Sequence, residues 1–139
     1  MKCSIFPLDT LKSYKYSVVL SFYQGKLLLS RHRQRSTWET QGGHIEPGEM
    51  PLQAAARELE EESGAIRYRI TPLCDYAAGE EGSMANGMVY IAQIEELGAI
   101  PDYEMAEICL FEYLPENLTY PEITPCLYKY WHERRDLHL

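Results

Sequence analysis

Four glutamates fall within the run Arg57-Glu58-Leu59-Glu60-Glu61-Glu62, the densest acidic segment of the chain. On a helix, at about 100° per residue, Glu58, Glu61 and Glu62 stand at i, i+3 and i+4 and share one face. Like charges at that spacing oppose a helix by roughly 0.2–0.5 kcal/mol per pair, and the C-terminal end of the dipole disfavours anions further. Local stability therefore does not account for the arrangement. Oxygen ligands on a rigid element suit Mg²⁺, which keeps several waters and takes carboxylates together with substrate phosphates. The plain alternative is a solvated acidic face on a surface helix, since glutamate is a common helix former.

Other residues are candidates of weaker type. Arg31, His32, Arg33 and Arg35 form a basic cluster that could reach phosphates, with Arg31, Arg33 and Arg35 as substrate ligands. The same charges would also keep a strand edge soluble. Trp38, with Tyr14, Tyr16, Tyr23 or Tyr90, could flank a nucleobase, although aromatic residues on strands are mostly core. Cys3, Cys74, Cys109 and Cys126 are widely spaced, with no C-x-x-C pair, and read as free thiols in or near a core.

The elements that must hold these groups follow from local pattern. Tyr14 to Tyr23 and Lys26 to Arg33 read as two strands joined at Gln24-Gly25. Gln41-Gly42-Gly43 reads as a glycine-containing loop before a short extended stretch at His44-Ile45. Pro51 suits the first turn of a helix running to Ser63, with Leu52, Ala55, Ala56 and Leu59 as its apolar face and Gly64 beyond its end. Met50 offers no capping oxygen, an omission worth about 0.5–2 kcal/mol. Ile66 to Tyr76, Met88 to Ile94 and Ile108 to Leu114 read as strands, with Ala77 to Gly87 as a loop carrying Glu80-Glu81. A last helix from Thr124 as N-cap to about Arg135 gathers Lys129, Arg134 and Arg135 near its end. Strands, helix, strands, helix is the order of an α+β chain with a mixed sheet between helical layers.

The surroundings of the acidic run are specific. Gly43 is followed by HIEPG and Glu49, then MPLQAAA, then Arg57-Glu58-Leu59-Glu60-Glu61-Glu62-Ser63-Gly64-Ala65. This string resembles the Nudix box, G-x5-E-x7-R-E-U-x-E-E-x-G-U with U a bulky apolar residue. Every charged and glycine position matches, and Ala65 is the one small residue at a bulky position. The resemblance implies a Nudix-type α/β/α sandwich with a central mixed sheet, as a single domain over residues 1–139.

For chemistry, the resemblance implies hydrolysis of a nucleoside diphosphate linked to another moiety, with Mg²⁺, or Mn²⁺ as substitute. Glu58, Glu61 and Glu62 match the metal-binding carboxylates, with the Gly43 or Gly42 carbonyl completing the set. Glu61 or Glu62 is the expected general base. Some relatives use a glutamate from a later loop, and Glu104 resembles that position, with Glu80 and Glu81 as the other choices. Glu49 and Arg57 are expected to pair and hold the loop against the helix. Many relatives have proline where Gln41 stands, so a looser backbone is expected there. The short chain and the tail from Leu114 to Leu118 loosely resemble the MutT-like branch. That implies a nucleoside triphosphate, oxidised or otherwise noncanonical, cut to monophosphate and pyrophosphate. Nucleotide sugars, dinucleotides and RNA 5′ ends remain open as substrates, as do a noncatalytic nucleotide sensor and an isomerase of diphosphate lipid precursors.

Bulk properties bound the rest. At 139 residues the chain holds about one domain. Its 13 basic against 21 acidic residues leave a net charge of −8, which argues against a nucleic-acid duplex as partner. No apolar run approaches the roughly 20 residues of a membrane span, and Pro7 and Asp9 interrupt any signal-like stretch. A cytoplasmic location away from membranes is expected, and a homodimer stays open.

Overall fold

The computed structural model describes residues 1–135; the last four residues of the expected 1–139 domain lie outside the described part. Seven strands and two helices follow in the order β1 (Lys2–Phe6), β2 (Tyr16–Tyr23), β3 (Lys26–His32), β4 (Gln41–His44), α1 (Pro51–Ser63), β5 (Ala65–Glu80), β6 (Ser83–Leu97), β7 (Met105–Phe111) and α2 (Thr124–Arg134). The strands form one sheet in the order β1-β5-β6-β2-β3-β7, and β4 adds to β2 off this path. β2 and β6 run parallel, while the other pairs are antiparallel. The sheet is mixed, as expected.

Side-chain alternation divides the core between the two faces of the sheet. Val19 and Leu28 join Ala55 and Leu59 of α1 on one face. Leu20, Phe22, Leu27 and Leu29 join Leu127 of α2 on the other. Phe22 stacks on Trp131 at 4.3 Å between ring centroids. The result is the α/β/α sandwich of an α+β chain.

α1 meets the sheet through small residues and is held at both ends by serines from it. Ala54, Ala55 and Leu59 are buried, whereas Leu52, expected on the same face, is 48% exposed in a first turn that runs past the buried patch. Ser17 Oγ donates to the Pro51 carbonyl at 2.7 Å, and Ser30 Oγ donates to the Glu62 carbonyl at 2.7 Å. The second bond satisfies one of the carbonyls a helix end leaves unpaired. Gln53 Oε1 accepts the Met50 N–H at 2.7 Å, which supplies part of the cap that Met50 lacks. Gly64 ends the helix with φ +83°, its N–H bonded to the Glu60 carbonyl at 3.1 Å. A Cβ there would stand 2.8 Å from the Gly98 and Ala99 carbonyl oxygens. Ala65, the small residue at the bulky position, is buried, and Ile66 beside it faces solvent.

Several expected boundaries move. Gln41-Gly42-Gly43 is strand rather than loop, because Val19, Val18 and Ser17 of β2 pair with it. β5 and β6 extend through the expected 77–87 loop to a tight turn at Glu81-Gly82, since Ala77, Ala78 and Gly79 pair with Asn86, Ala85 and Met84. β7 begins at Met105, earlier than expected, and Thr124 lies within α2, with Ile123 at the N-cap position. β1, not expected at all, is an edge strand whose ladder is with β5. No helix among the described residues is long and apolar enough to cross a membrane.

Candidate active site

The site is assembled where β4 meets the C-terminal half of α1. Glu62, with 8% of its surface exposed, turns inward, and its Oε1 accepts the Gly42 N–H at 2.8 Å. Glu58 lies beside Gly43, where a Cβ would come within 2.6 Å of the Glu58 carboxylate. A larger residue at position 43 would displace the Glu58 carboxylate from where it lies. Glu61 is more open, with 41% of its side chain exposed. These three carboxylates, with Glu104 from the segment before β7, line a cavity of about 210 Å³ that Glu46, Arg57 and Tyr103 complete. The lining of this cavity is mostly polar.

Burial and crowding set the electrostatics. Desolvation pushes the Glu62 carboxyl up to about 9, against the lowering effect of the Gly42 N–H and with the carboxylates of Glu58, Glu39 and Glu104 adding to the rise. Glu58 is also raised, by burial first, and Arg57 offsets part of this. Arg57 is the counterweight of the whole group. Its Nε and Nη2 form a two-pronged contact with Glu49 at 2.8 and 3.0 Å, while Nη1 donates to Glu58 at 2.8 Å. Nη1 also stands 3.6 Å from Glu61 and 3.7 Å from Glu46, and Nη2 donates to the His44 carbonyl at 3.2 Å. The guanidinium holds the Glu49 carboxyl down at about 2, helped by the Glu46 N–H. Glu49 and Arg57 thus tie the 44–49 loop to α1.

A hard divalent cation fits this donor set by chemistry, because it is all oxygen, partly buried and short of positive charge. Among the described residues, no group of three carboxylate, His or Cys side chains is already closed around a single point. Arg57 stands among these acids, 2.8 Å from Glu58 and 3.6 Å from Glu61. The Gly43 carbonyl expected in the ligand set belongs to β4 at the edge of the same region.

A second, larger cavity of about 530 Å³ borders the first, and Glu62 lines both. Its walls include Tyr16, Tyr76 and Tyr120, together with His44, Ile123 and Leu127. Tyr16 packs on His44 with ring centroids 4.5 Å apart. Its volume lies within the range of roughly 300–1,000 Å³ common to small-molecule sites. Of the tyrosines singled out in the sequence, Tyr16 alone lines it. Tyr14 instead donates to buried Asp75 at 2.8 Å, and Tyr23 and Tyr90 pack in the α1-face core. Tyr76 and Tyr120 carry no spacing signal. They reach the cavity through the long β5–β6 hairpin and the segment before α2.

The basic cluster stands elsewhere. Arg31, Arg33, Arg35 and Trp38 line neither cavity. Arg31 pairs with Glu107 at 2.7 Å, Arg33 with Asp102, and Arg35 with Glu39 at 3.2 Å. Trp38 packs edge-on to Phe111, and its backbone bonds Asn117 and Thr119. Glu80 binds the N-terminal amine at the hairpin tip, and neither it nor Glu81 lines either cavity.

Gln41 departs from the expected looseness. Its side chain is fully buried, donates to the Leu28 carbonyl at 3.2 Å and to Ser30 Oγ at 3.0 Å, and accepts from Ser21 Oγ. Through Ser30 it reaches the end of α1, so hydrogen bonds supply the rigidity that a proline ring would otherwise give.

The family model for the NUDIX domain matches residues 14–125. The chain belongs to the Nudix family. A relative in Bacillus subtilis (strain 168), named "Putative 8-oxo-dGTP diphosphatase YtkD", is 37% identical over 108 residues, covering 77% of this chain and 68% of the relative. A crystal structure of a mutant form of the Bacillus subtilis pyrophosphohydrolase BsRppH superposes with a TM-score of 0.76 at 30% identity, covering 94% of this chain and 90% of that one. A C. elegans Ap4A hydrolase binary complex shares the fold, with a TM-score of 0.67 at 17% identity over 91% of this chain and 98% of that one.

Proposed function

We propose that this Nudix protein is a Mg²⁺-dependent pyrophosphohydrolase, with Mn²⁺ as substitute, that cuts a nucleoside triphosphate to monophosphate and pyrophosphate. An oxidised or noncanonical nucleotide such as 8-oxo-dGTP is the proposed substrate class. The observation that carries the reading is the shared wall at Glu62. An oxygen-lined cavity bearing Glu58, Glu61, Glu62 and Glu104 adjoins a larger, partly aromatic cavity within the size range of small-molecule sites. The Bacillus subtilis relative named for 8-oxo-dGTP supports the choice of substrate.

When bound, the divalent cation neutralises pyrophosphate charge and makes a coordinated water more acidic. Glu58, Glu61 and Glu62 are the proposed ligands, with the Gly43 carbonyl. The rigid helix holds them for in-line attack, where phosphoryl transfer depends on placement and charge neutralisation more than on covalent help. Glu61, Glu62 or Glu104 accepts the proton of the attacking water. Tyr16, Tyr76 and Tyr120 enclose the base, and Arg57 with Glu49 fixes the ridge. Cytoplasmic location and action on free nucleotides rather than a duplex complete the reading, which suits a net charge of −8.

The test is a panel of canonical and oxidised nucleoside triphosphates, nucleotide sugars, dinucleotides and capped RNA ends, with products identified by mass. Release of monophosphate and pyrophosphate from a triphosphate supports the proposal. Preference for another class moves the substrate assignment, and saturable binding without cleavage of any member favours a nucleotide sensor.

A further inference from the structure

The basic cluster closing β3 is engaged by the acids that precede and begin β7. Arg31 Nε donates to Glu107 at 2.7 Å, and the Arg33 side chain pairs with Asp102. The Arg33 N–H donates to the Glu104 carbonyl at 3.0 Å. The register between β3 and β7 breaks at this point, because Arg31 stands opposite Glu107 but His32 stands opposite Met105. One step on β3 thus spans two on β7. Such a bulge bends a strand and re-aims its side chains, and bulges are frequent beside active sites.

Its effect here is to bring Glu104 alongside His32. His32 Nε2 lies 3.7 Å from Glu104 Oε2, an electrostatic contact too long for a hydrogen bond. His32 Nδ1 accepts the Gln34 N–H at 3.1 Å, so the imidazole, with 19% of its side chain exposed, directs its Nε2–H toward Glu104. The Glu104 side chain is itself 75% exposed, and among the described residues His32 is the one basic side chain within 4 Å of its carboxylate. An exposed glutamate without such a partner samples many rotamers. This one lines the cavity of Glu58, Glu61 and Glu62.

We propose that His32 is a positioning residue, holding Glu104 toward the carboxylate cavity across the β7 bulge, while Arg33 anchors the 98–104 segment through Asp102. This rests on the hydrolytic reading above and extends it by giving the end of β3 a part in the reaction.

The experiment measures kcat and KM for His32→Ala, His32→Gln and Arg33→Ala, each with Glu104 intact and with Glu104→Gln. Amide hydrogen exchange at residues 102–105 is followed independently of turnover. His32→Ala is expected to lower kcat about tenfold with KM within about twofold, as for other residues that orient a functional side chain. His32→Gln, which keeps an N–H donor, is expected to recover most of the rate. With Glu104→Gln present, the loss from His32→Ala should shrink to less than about twofold, because two residues acting through one contact are not additive. Equal losses in both backgrounds overturn the inference, as does an unchanged kcat for His32→Ala when Glu104→Gln is slow. If Glu104→Gln itself leaves kcat unchanged, the inference falls while the roles of Glu58, Glu61 and Glu62 stand. If the unmodified protein cleaves no anhydride, the hydrolytic reading falls and exchange decides the latch: faster exchange at residues 102–105 in His32→Ala supports it, and unchanged exchange overturns it.

Discussion

Glu62→Gln is expected to make the metal-free protein more stable while abolishing its activity. The Glu62 carboxyl is raised from an ordinary value of 4.5 to about 9, chiefly by burial. Between those two values the folded state binds a proton that the unfolded state has released. Stability is therefore fully retained below about pH 4.5 and declines as pH rises toward 9. Every pH unit climbed within that window costs about 1.4 kcal/mol, so near pH 8 the ceiling is on the order of 5 kcal/mol. Sharing of the proton with Glu58 and water entry reduce this to an expected gain of about 1–3 kcal/mol for the glutamine variant, or several degrees in Tm. Glutamine keeps an oxygen for the Gly42 N–H, so the change removes charge without breaking that bond. The assay is thermal unfolding of chelator-treated protein at about pH 5 and pH 8, then with Mg²⁺ restored. The variant should melt higher than the parent near pH 8 and nearly with it near pH 5, and Mg²⁺ should stabilise the parent more. A variant that melts lower at pH 8, or a gap independent of pH, would refute the argument that burial of this carboxylate is a standing strain relieved by a cation.

Other consequences follow from the same contacts. Arg57→Lys loses the two-pronged hold on Glu49 and should lower the rate about 10- to 100-fold, measured as kcat at saturating Mg²⁺. Acid titration followed by NMR should find Glu49 still ionised well below pH 4.5, and the support it gives the loop should be lost only as pH falls through about 2. Gln41→Leu strips partners from Ser21, Ser30 and the Leu28 carbonyl, and denaturant unfolding should show a loss of about 1–3 kcal/mol. Tyr120→Ala should raise KM several-fold with a smaller change in kcat, as expected for removal of about 0.5–1.5 kcal/mol of aromatic contact with a base.

The helix and its ridge are legible in the sequence because their determinants are local. Pro51, the alanines, Gly64 and the spacing of Glu58, Glu61 and Glu62 act within a few turns of one another. What is not legible depends on distant partners. Gln41-Gly42-Gly43 has the composition of a loop and becomes strand because β2 offers it a ladder. β1 has no stronger local signal than its neighbours and exists by pairing with β5. Glu80 and Glu81 look like loop acids, yet pairing carries β5 through Glu80 and leaves only Glu81-Gly82 as the turn. The same limit applies to the site. Nothing in the order Arg31-His32-Arg33 indicates that acids some seventy positions later will meet those side chains rather than a phosphate. Tyr76 and Tyr120 join one cavity only after the sheet and α2 have closed around it.

The most direct test of the central claim is the product-resolved rate of nucleoside triphosphate cleavage in Mg²⁺ for the parent protein against Glu58→Gln, Glu61→Gln and Glu62→Gln. All three variants should fold and release monophosphate and pyrophosphate at least about 100-fold more slowly than the parent, in keeping with the loss of groups that stabilise transition-state charge. Equal rates in folded variants, or cleavage by the parent undiminished after chelation, would contradict the assignment of the carboxylate ridge as the seat of the reaction.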